Sequence, residues 1–169
     1  MEGKKRGYDQ ILWLLGSDHI VTEAGSSNFF IIWKSKSGEL ELVTAPLDDK
    51  IILDGITRRS VLELARERFV SGSEYLTPET SALKTVERKF TMTEVAEAHG
   101  EGRIVEAFVS GTAFFITPVS VISFGDEELT IPMAAGGENG FYAKEIRAWL
   151  TDIKYGNVQH AWGVVVDEE

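Results

Sequence analysis

Asn28-Phe29-Phe30-Ile31-Ile32-Trp33-Lys34, then Ser35-Lys36-Ser37-Gly38, then Glu39-Leu40-Glu41-Leu42-Val43-Thr44 reads as two β-rich runs joined by a short Gly-containing loop, the pattern of a hairpin. Aromatic and β-branched side chains dominate both arms, as a pleated and largely buried surface requires. Upstream, Ile11-Leu12-Trp13-Leu14-Leu15 is a short apolar run ended by Gly16-Ser17-Asp18, which predicts a buried strand and a turn. The first third of the chain is therefore expected to be a meander. Downstream the period changes. A helix is predicted from Gly55-Ile56-Thr57, with Val61, Leu62, Ala65 and Phe69 on its inner face and Arg58, Arg59, Glu63 and Glu67 toward solvent.

Residues 70–82 read as a loop and Val86 to Phe90 as a strand. Thr91-Met92-Thr93-Glu94 carries a helix-start pattern in which either threonine can cap, and the helix is expected to run to about His99. Ile104 to Val109 returns to strand character, with Val105, Ala107 and Val109 set against Glu106 and Phe108. Strands are predicted again from Phe114 to Phe124, interrupted at Pro118, and over Leu129 to Ile131. The last long element, Phe141 to Tyr155, lines up Tyr142, Ile146, Trp149, Leu150 and Ile153 on one helical face and is ended by Gly156. The pattern is α+β: one domain over residues 1–169, with many short strands and about three helices.

With 169 residues, 43% of them hydrophobic, the chain is long enough for one sizeable core and too short for two. Its net charge of −10 argues against nonspecific binding to nucleic acid or anionic lipid, both of which need an excess of Lys and Arg. Cysteine is absent, which removes disulfides, thiolate metal ligands and a cysteine nucleophile. His19, His99 and His160 have no metal-ligand spacing, so no metal is expected. The apolar runs fall far short of a membrane span. The expected protein is soluble and intracellular, in the cytoplasm first with mitochondria as the alternative, and its partners are small molecules or other proteins.

Three segments carry candidate chemistry. Thr22-Glu23-Ala24-Gly25-Ser26-Ser27-Asn28 puts a carboxylate at a strand end before a Gly-Ser-Ser loop. Gly55-Ile56-Thr57-Arg58 puts backbone N–H groups and a hydroxyl in the first turn of a helix, where the macrodipole favours an anion such as phosphate. Ser110-Gly111-Thr112-Ala113 is a turn in which glycine permits tight backbone and threonine supplies a donor. Each is also compatible with ordinary structure: a solvated strand-end glutamate, a plain helix N-terminus, a common turn.

Together these segments resemble the cofactor-holding parts of the branched-chain amino-acid aminotransferases, class-IV aminotransferases that use pyridoxal phosphate on the fold type IV scaffold. Gly7-Tyr8-Asp9-Gln10, Leu42-Val43-Thr44-Ala45-Pro46-Leu47, Tyr155-Gly156 and His160-Xaa-Trp162 extend the resemblance over nearly the whole chain. It implies many short strands in a barrel-like core, like the large C-terminal domain of those enzymes. It further implies that Glu23 partners the ring nitrogen or survives as an acid or base, that Leu53 packs on the ring, and that Ile56, Thr57 and Thr112 hold the phosphate. Ser26, Thr112 and Ala113 would then meet substrate. Asp54 stands where many members have proline, and Phe114 and Thr117 stand where some mammalian members have a redox cysteine pair.

In this family the Schiff-base lysine lies further N-terminal of the first segment than the 22 residues that precede Glu23. The lysine and the small N-terminal domain are therefore expected to be missing, and Lys34, Lys36, Lys50, Lys84 and Lys89 are expected in turns or facing outward on strands. No covalent cofactor attachment is expected. Three functions follow from the resemblance: the cofactor-binding domain of an aminotransferase that does not transaminate alone, a stand-alone enzyme or pseudoenzyme reusing the pocket without pyridoxal phosphate for an isomerisation or cyclisation, and a noncatalytic partner of full-length aminotransferase. The ligand would be an amino acid, a keto acid or another carboxylate, and the assembly a homo-oligomer or a pairing with a full-length homologue.

Overall fold

The computed structural model describes residues 2–113, 115–134, 140–164 and 166. After one helical turn, α1 (Glu2–Lys5), four strands follow: β1 (Leu12–Leu15), β2 (Ile20–Ala24), β3 (Ser27–Lys34) and β4 (Leu40–Thr44). Helix α2 (Ile56–Arg68) crosses over to β5 (Lys84–Glu87), and α3 (Met92–Gly100) leads into the long strand β6 (Ile104–Gly111). β7 (Phe115–Pro118), β8 (Val121–Phe124), β9 (Glu127–Thr130) and α4 (Phe141–Lys154) complete the order. The Phe114 start expected for β7 lies outside the described residues.

β3 is the spine. β6 runs antiparallel along one of its edges, from Asn28 opposite Ser110 to Trp33 opposite Ile104. The other edge is shared: β2 pairs with it at Ser27 and Asn28, and β4 from Phe30 to Lys34. β2 and β4 therefore splay apart just beyond Glu23. β5 extends β4 in parallel, as a helical crossover allows, and β7 extends β6.

The α+β architecture is present, but the barrel-like core is not. Among the described residues the seven-stranded sheet is open, because β1 pairs only with β2, β5 only with β4 and β7 only with β6. The β8–β9 pair is a separate ribbon and bridges none of these ends.

Both faces of the sheet are covered, which is why Phe29 to Trp33 is apolar without alternation. Phe29, Ile31, Trp33, Val43, Ala107 and Val109 face α3 and the β8–β9 ribbon. Phe30, Ile32, Leu42, Phe108 and Ile116 face α2 and α4, with the Phe30 and Phe108 rings stacked at 5.0 Å. A bulge between Ile32 and Trp33 breaks the expected alternation of β6, so that Ile104 joins the first cluster and Val105 packs with the second. β1 was expected to be buried. As an edge strand with a neighbour on one side only, it leaves Trp13 51% exposed.

Thr91 is the residue that caps α3, in a reciprocal capping box with Glu94. Arg58 departs most from expectation: it was placed toward solvent and is 1% exposed. Its Nη2 donates to Ala45 O at 2.8 Å and to Glu87 Oε2 at 2.6 Å, tying α2 to the ends of β4 and β5. Burial raises the Glu87 carboxyl, but hydrogen bonds from Arg58 and Arg66 outweigh it and hold the group below its ordinary value. Arg58→Ala should cost about 2 kcal/mol in urea unfolding, below the usual loss for a broken buried pair, because Arg66 still neutralises Glu87.

Candidate functional site

β2 and β4 splay apart beside Glu23, and the loop before α2 lies against its side chain there. Glu23 Oε1 accepts the backbone N–H of Leu53 at 2.8 Å. The Asn28 amide closes a triangle, with Nδ2 donating to Leu53 O at 2.9 Å and to Glu23 Oε1 at 3.3 Å. Two acceptors face that end of the amide, so its orientation is fixed by chemistry. Asn28 Oδ1 in turn abuts Gly55, where any side chain would run into it.

The first two segments are thus locked together. The third joins them through the ladder: Ser110 lies opposite Asn28, and a Cβ at Gly111 would come within 2.9 Å of Ser27 Oγ. Ser110 is 1% exposed and its hydroxyl has no hydrogen-bond partner among the described residues. Ser26 sits at the exposed β2–β3 turn, while Thr112 and Ala113 occupy the exposed turn after β6, next to Phe115 with its left-handed φ of 53°.

Leu53 and Ile56 point outward, 68% and 82% exposed, on the rim of this junction, whereas Thr57 is buried. Gly55 precedes α2 in an extended conformation, and no side chain among the described residues caps the helix. Its first N–H groups are therefore free for an anion. Asp54 does not oppose one with an unpaired charge. Arg59 chelates it, donating Nε to Oδ1 at 2.7 Å, and that hydrogen bond with the guanidinium charge holds the Asp54 carboxyl below its ordinary range.

Asn28 and Gly55 lie within the motif segments but carry no chemistry by residue type alone; their signals in the sequence are a polar residue at a strand start and a glycine before a helix. Lys34, Lys36, Lys50, Lys84 and Lys89 are all exposed. Among the described residues no group of three or more His, Asp or Glu is placed to hold a metal ion. A cavity of about 550 Å³ lies on the opposite face of the sheet, lined by Ala24, Phe29 and Val109, which alternate with Glu23, Asn28 and Ser110 and point the other way.

A sequence profile described as amino-transferase class IV matches residues 1–122. The chain belongs to the class-IV aminotransferases. This family depends on pyridoxal phosphate. The mitochondrial branched-chain-amino-acid aminotransferase of Schizosaccharomyces pombe is 44% identical over 164 residues, covering 96% of this chain and 36% of that protein. The cytosolic enzyme of Saccharomyces cerevisiae is 42% identical over 170 residues, covering 99% of this chain and 43% of the relative. The chain thus spans less than half the length of these class-IV relatives. The crystal structure of an aminotransferase from Brucella abortus bound to the co-factor PLP shares the fold, with a TM-score of 0.57 at 22% identity over 89% of this chain and 41% of that one. Relatives of the class-IV family occur under both mitochondrial and cytosolic names, and no described helix here is long and apolar enough to cross a membrane.

Proposed function

We propose that residues 1–169 form the cofactor-holding large domain of a branched-chain amino-acid aminotransferase, and that the three segments seat pyridoxal phosphate. The observation that carries this reading is the bond from Leu53 N to Glu23 Oε1, 2.8 Å, which fixes a carboxylate and an uncapped helix N-terminus in one cradle. A carboxylate suits a protonated ring nitrogen, and a helix N-terminus suits a phosphate; the two donor types fit the two ends of this cofactor. When bound, the cofactor supplies an electron-withdrawing ring that acidifies the α-proton of an amino acid.

In this reading Glu23 keeps the ring nitrogen protonated, and the α2 amides of Ile56 and Thr57, with the Thr57 hydroxyl, hold the phosphate. Thr112 adds a hydroxyl to the phosphate side. Leu53 covers the ring and excludes water from it, while Ser26, Thr112 and Ala113 orient the substrate carboxylate. The lysine that moves the proton in the complete enzyme lies outside these residues, and so does the surface that covers the exposed Leu53 and Ile56. That exposure supports completion of the site by further protein, either a second copy or a full-length homologue. The complete enzyme would exchange an amino group between leucine, isoleucine or valine and 2-oxoglutarate, and this chain alone would not turn over.

The test is an absorption titration of the purified chain with pyridoxal phosphate, before and after borohydride. Noncovalent binding that dialysis reverses after borohydride, weakened about tenfold or more by Glu23→Ala, is the expected result. Absence of binding, or covalent trapping together with conversion of leucine to its keto acid, would overturn the reading.

A further inference from the structure

We propose that Asn28 is a positioning residue for Glu23, holding one carboxylate oxygen so that the other is free for the ring nitrogen. This rests on the function proposed above. Glu23 Oε1 already receives two donors, Leu53 N and Asn28 Nδ2, whereas Oε2 has no partner among the described residues. A carboxylate tied at one oxygen by two donors cannot swing between rotamers, and the other oxygen is left at a defined place.

The side chain that performs this task has narrow requirements. It must donate twice from a single nitrogen, toward Glu23 and toward Leu53 O, and it must be short enough to stay within the strand ladder. Aspartate has the shape but offers no donor and sets a second negative charge beside Glu23. Asn28 also demands its neighbour, because its Oδ1 occupies the space a side chain at residue 55 would need. The glycine before α2 and the asparagine at the start of β3 are thus one device, in which the amide sets the carboxylate and the missing Cβ admits the amide. Asn28 is 4% exposed, so it acts through Glu23 and does not itself touch a ligand.

The experiment compares two probes on the full chain: pyridoxal phosphate, and benzyl phosphate, which keeps an aromatic ring and a phosphate but lacks the ring nitrogen. Asn28→Ala and the isosteric Asn28→Asp are each expected to raise the Kd for pyridoxal phosphate about tenfold and to change that for benzyl phosphate less than twofold. Asn28→Asp preserves volume, so it keeps the comparison valid if the alanine variant folds poorly. Equal weakening of both probes makes Asn28 a purely structural residue and overturns the inference, as does unchanged binding of both. If the unsubstituted chain binds neither probe, the proposed function fails and takes the inference with it. Tight binding of pyridoxal phosphate by both variants removes the inference alone.

Discussion

Gly140→Ala is expected to lower stability by about 4 kcal/mol and the melting temperature by about 10 °C. Gly140 precedes α4, and the carboxylate of Glu106 lies flat against it, so that a Cβ there would collide with both oxygens and the carboxyl carbon. Glu106 is 2% exposed on β6, and its oxygens accept Ala143 N at 2.7 Å and Tyr142 N at 3.1 Å, capping α4 from the sheet. The added methyl pushes this carboxyl group off its donors and leaves a buried polar group and two helix-end amides unpaired. Backbone conformation is not the obstacle, since Gly140 has φ −74°, which any residue adopts. Calorimetry on a double-mutant cycle checks the assignment: Gly140→Ala should cost far less when Glu106 is already alanine, and an unchanged cost would place the damage elsewhere.

Glu106 also sets the second large effect. Burial pushes its carboxyl up to about 7, against the opposing pull of the Ala143 and Tyr142 amides. Between the ordinary carboxyl value and about 7 the folded chain therefore binds a proton that the unfolded chain has released. The stabilisation is complete below about pH 4.5 and is lost as pH rises through 7, a change of about 3 kcal/mol. Other carboxylates, Glu87 among them, pull the opposite way because their values are lowered, so the comparison must be with a variant. Glu106→Gln imitates the protonated form. Urea unfolding at pH 5 and pH 8 should show this variant gaining about 2.5 kcal/mol on the unsubstituted chain across that interval, and parallel curves would exclude titration of Glu106.

How legible these features were depends on how local their causes are. The β3–β4 hairpin, the capping box at Thr91 and the apolar face of α4 each follow from residues within one or two turns of chain, and all three are present. Arg58 was misplaced because helical periodicity sets a face but does not know that Glu87, far along the chain, supplies a partner inside. β1 looked buried for the same reason: an apolar run does not state how many neighbours its strand will have. The sheet stays open because β1, β5 and β7 each find a partner on one side only, and nothing in those strands' sequences announces it. At the site, the carboxylate and the helix start were readable as residue types, whereas the Asn28 triangle depends on a backbone amide, Leu53 N, that no side-chain pattern encodes. Glu106 did leave a signal, a lone acid amid Ile104, Val105, Ala107 and Phe108.

The pairing of β3 with β6 also sets the order in which the chain acquires its parts. Even the nearest backbone bond at this end, Lys34 N donating to Arg103 O at 2.9 Å, joins residues 69 apart, so a long loop must close before that ladder returns any free energy. The β1–β4 meander is joined by pairings close in sequence. The Ser110–Ala113 turn arrives beside Ser27 and Asn28 only when β6 docks, and until then the cradle is missing one of its three walls. A nascent chain that ends between α2 and β6 already carries Glu23 and the start of α2, yet it lacks the third segment of the proposed site.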